Sequence, residues 1–167
     1  MTATSTVQTP LGPFTVLIDD DGAVLASGWT AELDELLLLV APGLRPASVL
    51  RRADLGAVTD AVRSYHQGEL SAISEVAVHQ RGGAFLEQAW QVLRTVPAGA
   101  PVSYTELAAK AGRPRAVRAA ASACARNPAA LFVPCHRVLR GDGSLGGFRW
   151  GLPAKRWLLA HEQPVPG

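Results

Sequence analysis

Apolar positions in the first part of the chain form two kinds of run. Phe14, Val16, Leu17 and Ile18 with the β-favouring Thr15 lead to Asp19-Asp20-Asp21-Gly22, and Ala23, Val24, Leu25 and Ala26 follow at once. An acidic turn closed by glycine between two such runs predicts a hairpin within residues 10–29. Residues 31–41 read as a helix stopped at Pro42 and Gly43. Leu55, Val58, Ala61, Val62 and Tyr65 recur at helical spacing until Gly68, which predicts a second helix, and residues 73–78 read as a short extended segment. His66 and His79 are isolated, so residues 1–80 offer no catalytic grouping.

Beyond Arg81-Gly82-Gly83, the expected domain boundary, the spacing becomes helical. Phe85, Ala89, Trp90 and Leu93 mark one face of a helix over residues 84–95, ended by Pro97 and Gly99. Ser103 is placed to cap a helix over residues 104–111, and Glu106 completes a capping box. Gly112-Arg113-Pro114 then makes a tight turn, with Pro114 opening a helix that runs to about Arg126. Helix, short glycine turn, helix is the helix-turn-helix pattern. At about 100° per residue, Arg115, Arg118 and Arg126 share one face, whereas Val117, Ala121 and Cys124 share the other. Cys124 therefore reads as an inert packing cysteine. Ala119, Ala120 and Ala123 leave room for close backbone approach to a groove, and the arginines suit phosphate contacts.

The chain has 167 residues, 48% of them apolar, enough for one ordinary domain or two small ones. No apolar run approaches the roughly 20 residues of a membrane span, so no membrane partner is expected. The start lacks a basic and apolar leader, which points to the cytoplasm. A net charge of +2 conceals a polarity along the chain. Residues 1–80 carry ten carboxylates against four arginines, a net of −6, while residues 81–167 carry twelve cations against four carboxylates, a net of +8. The second half is suited to meeting a polyanion. Cys124 and Cys135 lack metal-ligand and disulfide-framework spacings, so neither a metal nor a cofactor is expected, and a thiol used for its reactivity remains open.

Cys135 is the centre of the candidate chemistry. Leu131, Phe132 and Val133 deliver it between Pro134 and His136, and the proline biases Val133 towards extended backbone, so the thiol is expected at the end of a strand. A cysteine with a pKa of about 8.5 needs a base or a positive field to react as thiolate. His136 is the nearest base and Arg137 adds charge. Neighbouring side chains on an extended segment point to opposite sides. Either the chain turns sharply at Pro134 and Cys135, or a water links thiol and imidazole. Glu162, in a helix over residues 154–162, is a candidate to orient the base, with His161 as the rival base. Asn127, just before Pro128, stops the arginine helix and can tie down the turn leading to Cys135.

Val133-Pro134-Cys135-His136-Arg137-Val138 resembles the active-site signature of the O6-alkylguanine-DNA alkyltransferases, also called methylated-DNA–protein-cysteine methyltransferases. Ser103 and Tyr104 with Glu106, Leu107 and Ala108, Arg115-Ala116-Val117-Arg118, Asn127-Pro128, Gly146-Gly147, and the run from Trp157 to Glu162 stand in that family's order and spacing, across residues 85–162. Residues 10–29 and 65–70 resemble its N-terminal domain more weakly. The resemblance implies a ribonuclease-H-like α/β domain over residues 1–80 and a mainly α, winged-helix-like domain with a helix-turn-helix over residues 81–167. It also implies a monomer without an obligate protein partner, which docks its second helix in the minor groove of double-stranded DNA and takes a flipped O6-alkylguanine into a pocket.

By position, the resemblance makes Cys135 the alkyl acceptor, His136 its base through water, Glu162 the orienting group, Asn127 a support and Tyr104 a donor to the departing guanine. Arg118 fills the gap left by the flipped base, with Arg115, Arg126, Ala119 and Ala120 also on the DNA face. Tyr104, Val133, Pro134, Phe148, Arg149 and Trp150 form the expected substrate pocket. The product would be a thioether that no group here can cleave, so each molecule acts once, on O6-alkylguanine and on O4-methylthymine. Arg149 and Trp150 stand where many members carry small residues, which resembles the bacterial adaptive-response type and predicts poor acceptance of benzyl-sized groups. The cysteine-rich sensor domain of the adaptive-response regulators is missing, so a transcriptional role is not expected. Two other readings stand beside this one. A helix-turn-helix protein could recognise alkylated DNA without chemistry, and a cysteine hydrolase could use Cys135 and His136, although no oxyanion arrangement is evident.

Overall fold

A threonine- and serine-rich run builds the first strand, β1 (Ala3–Thr9), which lies at the heart of a four-stranded sheet. The computed structural model describes residues 1–164. β1 pairs antiparallel with β2 (Gly12–Ile18) across the two-residue turn Pro10-Leu11, where Gly12 takes a φ of 100°. β1 was not evident from the hydrophobic pattern because Val7 is its one large apolar residue. Its threonines instead tie the sheet together: Thr4 Oγ1 donates to Val16 O (2.8 Å), and the hydroxyls of Thr6 and Thr15 meet at 2.9 Å.

The expected hairpin forms between β2 and β3 (Val24–Gly28). Asp19 closes its turn by accepting hydrogen bonds at Oδ1 from the amides of Asp21 and Ala23, both at 2.9 Å, the local bonding that favours aspartate in turns. The strand order is β3-β2-β1-β4, with β4 (Leu50–Arg51) parallel to β1. The outer edge of β3 is covered by two short parallel pieces. Val24 bridges to Val78 and Ser27 to Ala129, and Ser27 Oγ donates to Ala130 O at 2.7 Å. β2 and β3 are therefore buried on both faces, which explains their unbroken apolar runs.

Helix α1 (Leu33–Leu37) is shorter than the predicted residues 31–41, because residues 38–40 form turns, and a 3-10 segment follows at Pro42–Leu44. Helix α2 (Ala57–His66) follows its predicted stripe, burying Val58, Ala61, Val62 and Tyr65 and packing on β1. The expected extended segment over residues 73–78 is corrected: Leu70–Glu75 is a 3-10 helix, and extended pairing begins only beside Val24.

The chain divides into two compact units, one of Met1–Arg81 with Pro128–Phe132, the other of Gly82–Asn127 with the residues from Val133 onward. The second unit holds α3 (Ala84–Leu93), β5 (Val102–Ser103), α4 (Tyr104–Lys110), α5 (Val117–Ala125), β6 (Val138–Leu139) and α6 (Leu152–His161). β5 and β6 pair in parallel. The capping box forms as expected: Glu106 N donates to Ser103 Oγ (3.0 Å) and Ser103 N to Glu106 Oε1 (3.2 Å). α5 starts later than predicted. Pro114 and Arg115 lie in a turn, so Arg115 stands outside the helix that carries Arg118, and the shared arginine face does not include it. No helix among the described residues is long and apolar enough to cross a membrane.

Candidate active site

The approach to Cys135 is not the expected strand. Leu131 has a φ of 79°, the one positive φ outside glycine among the described residues, at a cost of about 1–2 kcal/mol for a residue with a Cβ. Pro134 then sits at φ −81°, ψ 66° while Cys135 N donates to Val133 O at 2.8 Å, an inverse γ-turn. Arg137 N donates to Pro134 O (3.0 Å) and closes a single 3-10 turn, Cys135–Arg137. The chain has thus taken the sharp turn at Pro134 and Cys135. Asn127 Nδ2 donates to Val133 O at 2.8 Å and pins the start of that turn.

Behind the thiol lies a buried ionic cluster. His136, with no exposed surface, donates through Nε2 to Glu162 Oε2 at 2.8 Å, since a carboxylate can only accept. Arg137 grips the same carboxylate with one edge of its fork, Nε to Oε1 (2.9 Å) and Nη2 to Oε2 (2.8 Å), while Nη1 donates to Val96 O (2.8 Å). Burial alone would raise the Glu162 pKa, but hydrogen bonds and charge from His136 and Arg137 outweigh it and hold the carboxyl at about 2. Burial pushes the His136 pKa down against the pull of Glu162, with Arg137 and Lys155 adding to the depression. The imidazole is therefore neutral, with its proton on Nε2. Its lone pair is on Nδ1, which is buried and has no hydrogen-bond partner among the described residues. His161, the rival base, stacks on Trp157 at 4.5 Å between ring centres.

Cys135 is 7% exposed. Burial raises its pKa, opposed by a hydrogen bond from Asn127, the charge of Lys155, its own backbone and the charge of Arg149. Lys155 is not among the residues expected at the site. Fully buried, its Nζ donates to Val138 O (2.7 Å), Leu145 O (2.5 Å) and Gly147 O (3.2 Å), tying the loop after β6 to α6. A signal existed: Ala154, Lys155, Leu158 and Glu162 fall on one helical stripe, so a charged pair lay on the buried side of α6. In the sequence Arg137 stands only as charge near the thiol, and nothing there marks its place on Glu162.

A cavity of about 430 Å³, within the usual size for ligand pockets, is lined by Tyr104, Cys124, Asn127, Cys135 and Phe148 to Trp150, with Ala121, Ala125 and Gly147. Tyr104, Phe148, Arg149 and Trp150 lie where expected. Val133 and Pro134 do not line it, because Val133 is wholly buried and both serve the γ-turn through their backbone. Cys124, expected to be a packing cysteine, lines the cavity, and burial pushes its thiol pKa up, so it stays protonated. The Tyr104 hydroxyl is raised to about 12, first by burial and then by the two cysteines, so it is a hydrogen-bond donor at neutral pH. Gly146, at φ 70°, lies against it: a Cβ there would come within 2.8 Å of Tyr104 Oη. This contact explains the first glycine of the Gly146-Gly147 pair.

Of the candidate DNA-facing residues, Arg115, Arg118 and Arg126 are exposed. Ala120 is fully buried and cannot meet a groove, because within α5 it lies about 200° round the helix from Arg118, while Ala119 is half-buried.

The family described as "6-O-methylguanine DNA methyltransferase, DNA binding domain" matches residues 84–164. The chain is 35% identical over 158 residues to the methylated-DNA–protein-cysteine methyltransferase of Shigella flexneri, covering 93% of this chain and 92% of that protein. It is 43% identical over 150 residues to the bifunctional transcriptional activator/DNA repair enzyme Ada of Escherichia coli, covering 88% of this chain but spanning only 38% of that protein. Among solved structures, Mycobacterium tuberculosis OGT in complex with DNA aligns with a TM-score of 0.81 at 29% identity, covering 96% of this chain and 92% of that one.

Proposed function

Because the chain belongs to the family of methylated-DNA–protein-cysteine methyltransferases, we propose that it repairs DNA by moving the alkyl group of O6-alkylguanine irreversibly onto its own Cys135. The observation that carries this assignment of the acceptor is the Cys135 thiol on the wall of an open cavity, beside a neutral His136 whose Nε2 proton is fixed on Glu162. The thiol gives its proton through a water to Nδ1 of His136. The thiolate, supported by Asn127 and Lys155, attacks the alkyl carbon in line. The S–C bond forms as the C–O6 bond breaks, and the electron pair goes to the purine. Tyr104 donates a hydrogen bond to the departing base, and the proton that left the thiol ends on guanine. Attack at an sp³ carbon needs no oxyanion hole. The product is a thioether, and no group lining the cavity is suited to cleave it, so each molecule reacts once. O4-methylthymine presents the same alkyl-oxygen bond and is a second substrate.

DNA docks along α5, which carries the exposed Arg118 and, through Ala121, Cys124 and Ala125, one wall of the cavity. A helix in the minor groove then has the cavity beside it, and the lesion enters only after flipping, because a thiol buried to this extent is out of reach of a stacked base. Arg118 fills the space the base leaves, while Arg115 and Arg126 contact phosphates. The first unit's sheet with α2 fits a ribonuclease-H-like domain, the second unit's α4-turn-α5 fits a winged-helix-like one, and the protein acts as a monomer. Incubation with a duplex containing O6-methylguanine, followed by intact-protein and peptide mass measurement, is expected to find one methyl group per molecule, on the peptide bearing Cys135. Protein that binds the duplex and stays unmodified would favour recognition without chemistry and overturn the assignment.

A further inference from the structure

Two cations influence the Cys135 thiol, and they differ in what they are free to do. Lys155 spends its three donors on backbone carbonyls. Arg149 lies on the cavity wall in an exposed position, and a single hydrogen bond among the described residues, from Nη2 to Ala125 O at the end of α5 (2.9 Å), fixes its head. A guanidinium carries five N–H donors in a planar fork, and one bond on Nη2 leaves its second N–H, together with that of Nη1 or Nε on the same edge, for a molecule entering the cavity. Arg149 is thus on the wall of the space a flipped base would fill, while Lys155 lies outside the residues that line it.

That placement matters for the transfer proposed above, on which this inference rests. As the S–C bond forms, negative charge leaves the sulfur and arrives on the purine, in the cavity. A cation placed towards the destination of the charge stabilises the transition state more than the ground state. Guanine offers two adjacent acceptors, O6 and N7, on one edge, a pair that an arginine fork matches. We propose that Arg149 is a catalytic residue that holds the O6 and N7 edge of the flipped guanine in the cavity and stabilises the charge that develops there as the alkyl group leaves. A lysine at this position would supply charge without the two-point match.

The test replaces one atom on each side. Maximal single-turnover rates are measured at saturating protein for duplexes carrying O6-methylguanine or its 7-deaza analogue, in which N7 becomes C–H, with the wild type, Arg149→Ser and Arg149→Lys. The wild type is expected to lose about tenfold on the 7-deaza substrate. Arg149→Ser is expected to lose about tenfold on the ordinary substrate and nothing further on the analogue, the non-additivity of two groups in contact. Arg149→Lys recovers part of the rate and remains insensitive to the loss of N7. A wild type indifferent to the analogue, or an Arg149→Ser protein that still loses as much as the wild type, overturns the proposal and leaves Arg149 as a cap on α5. Circular dichroism and thermal unfolding, expected to match the wild type, report that each variant is folded. Wild-type methyl uptake on Cys135 from O6-methylguanine tests the reaction itself, so its failure is distinct from failure of the Arg149 role.

Discussion

The two units bury different kinds of polar group. In the first, apart from His66, the buried polar side chains are hydroxyls, those of Thr4, Ser5, Thr15, Ser27 and Thr59. In the second they are Asn127, His136, Arg137, Lys155 and Glu162. Hydroxyls in a sheet give up little hydration and repair it with neighbouring carbonyls, as Thr4 does with Val16 O. Burying full charges costs several kcal/mol per ion before pairing, and a hydrophobic replacement often does as well for stability. The ions of the second unit are better explained by what they do to Cys135 and His136 than by what they add to the fold.

Removing one charge should have the largest effect. Glu162→Gln keeps the shape but leaves Arg137 buried without its counter-ion, a loss of about 3–5 kcal/mol in denaturant unfolding at neutral pH. It should also change the acid response. The Glu162 pKa is depressed from 4.5 to about 2 on folding, so its contribution is complete above pH 4.5 and is lost as pH falls towards about 2. The variant should lack that part of the acid destabilisation, and equal slopes in wild type and variant over this window would break the comparison. Methyl transfer should fall as well, since His136 loses the carboxylate charge that favours its taking up the proton of the thiol.

Next comes the cavity. Tyr104→Phe removes one donor and should slow single-turnover transfer about 100-fold while leaving affinity for undamaged duplex unchanged. A parallel fall in affinity would make Tyr104 a packing residue of α4. The smallest effect belongs to the first unit: Thr4→Val loses the bond to Val16 O and should cost about 1 kcal/mol in unfolding, with the transfer rate unaltered. A slowed reaction in that variant would show that the hydroxyls of the first unit share in the chemistry.

Much of the site was legible because its signals are local. Cys135 beside His136, the Ser103 and Glu106 box that starts α4 at Tyr104, and Asn127 ahead of the turn are each read within a few residues. The misreadings have physical causes of the same kind. A proline is tolerated in a first helical turn, but Pro114 sits in the connection instead, so α5 starts at Val117 and Arg115 stands apart from Arg118. Cys124 looked like packing because a helical face shows which residues align, without showing whether that face meets a core or a cavity.

By itself, the sequence determined the hairpin of β2 and β3, the helical stripes of α2 and α3, the capped α4 and the family signature, since alternation, 3.6-residue spacing and caps depend on near neighbours. Tertiary structure decided which charges are buried and what they face. Lys155 gathers carbonyls from Val138, Leu145 and Gly147, and Arg137 shares a carboxylate with His136 from 25 residues away. Burial makes a charge seek partners wherever the fold has brought them, and no spacing along the chain records that choice.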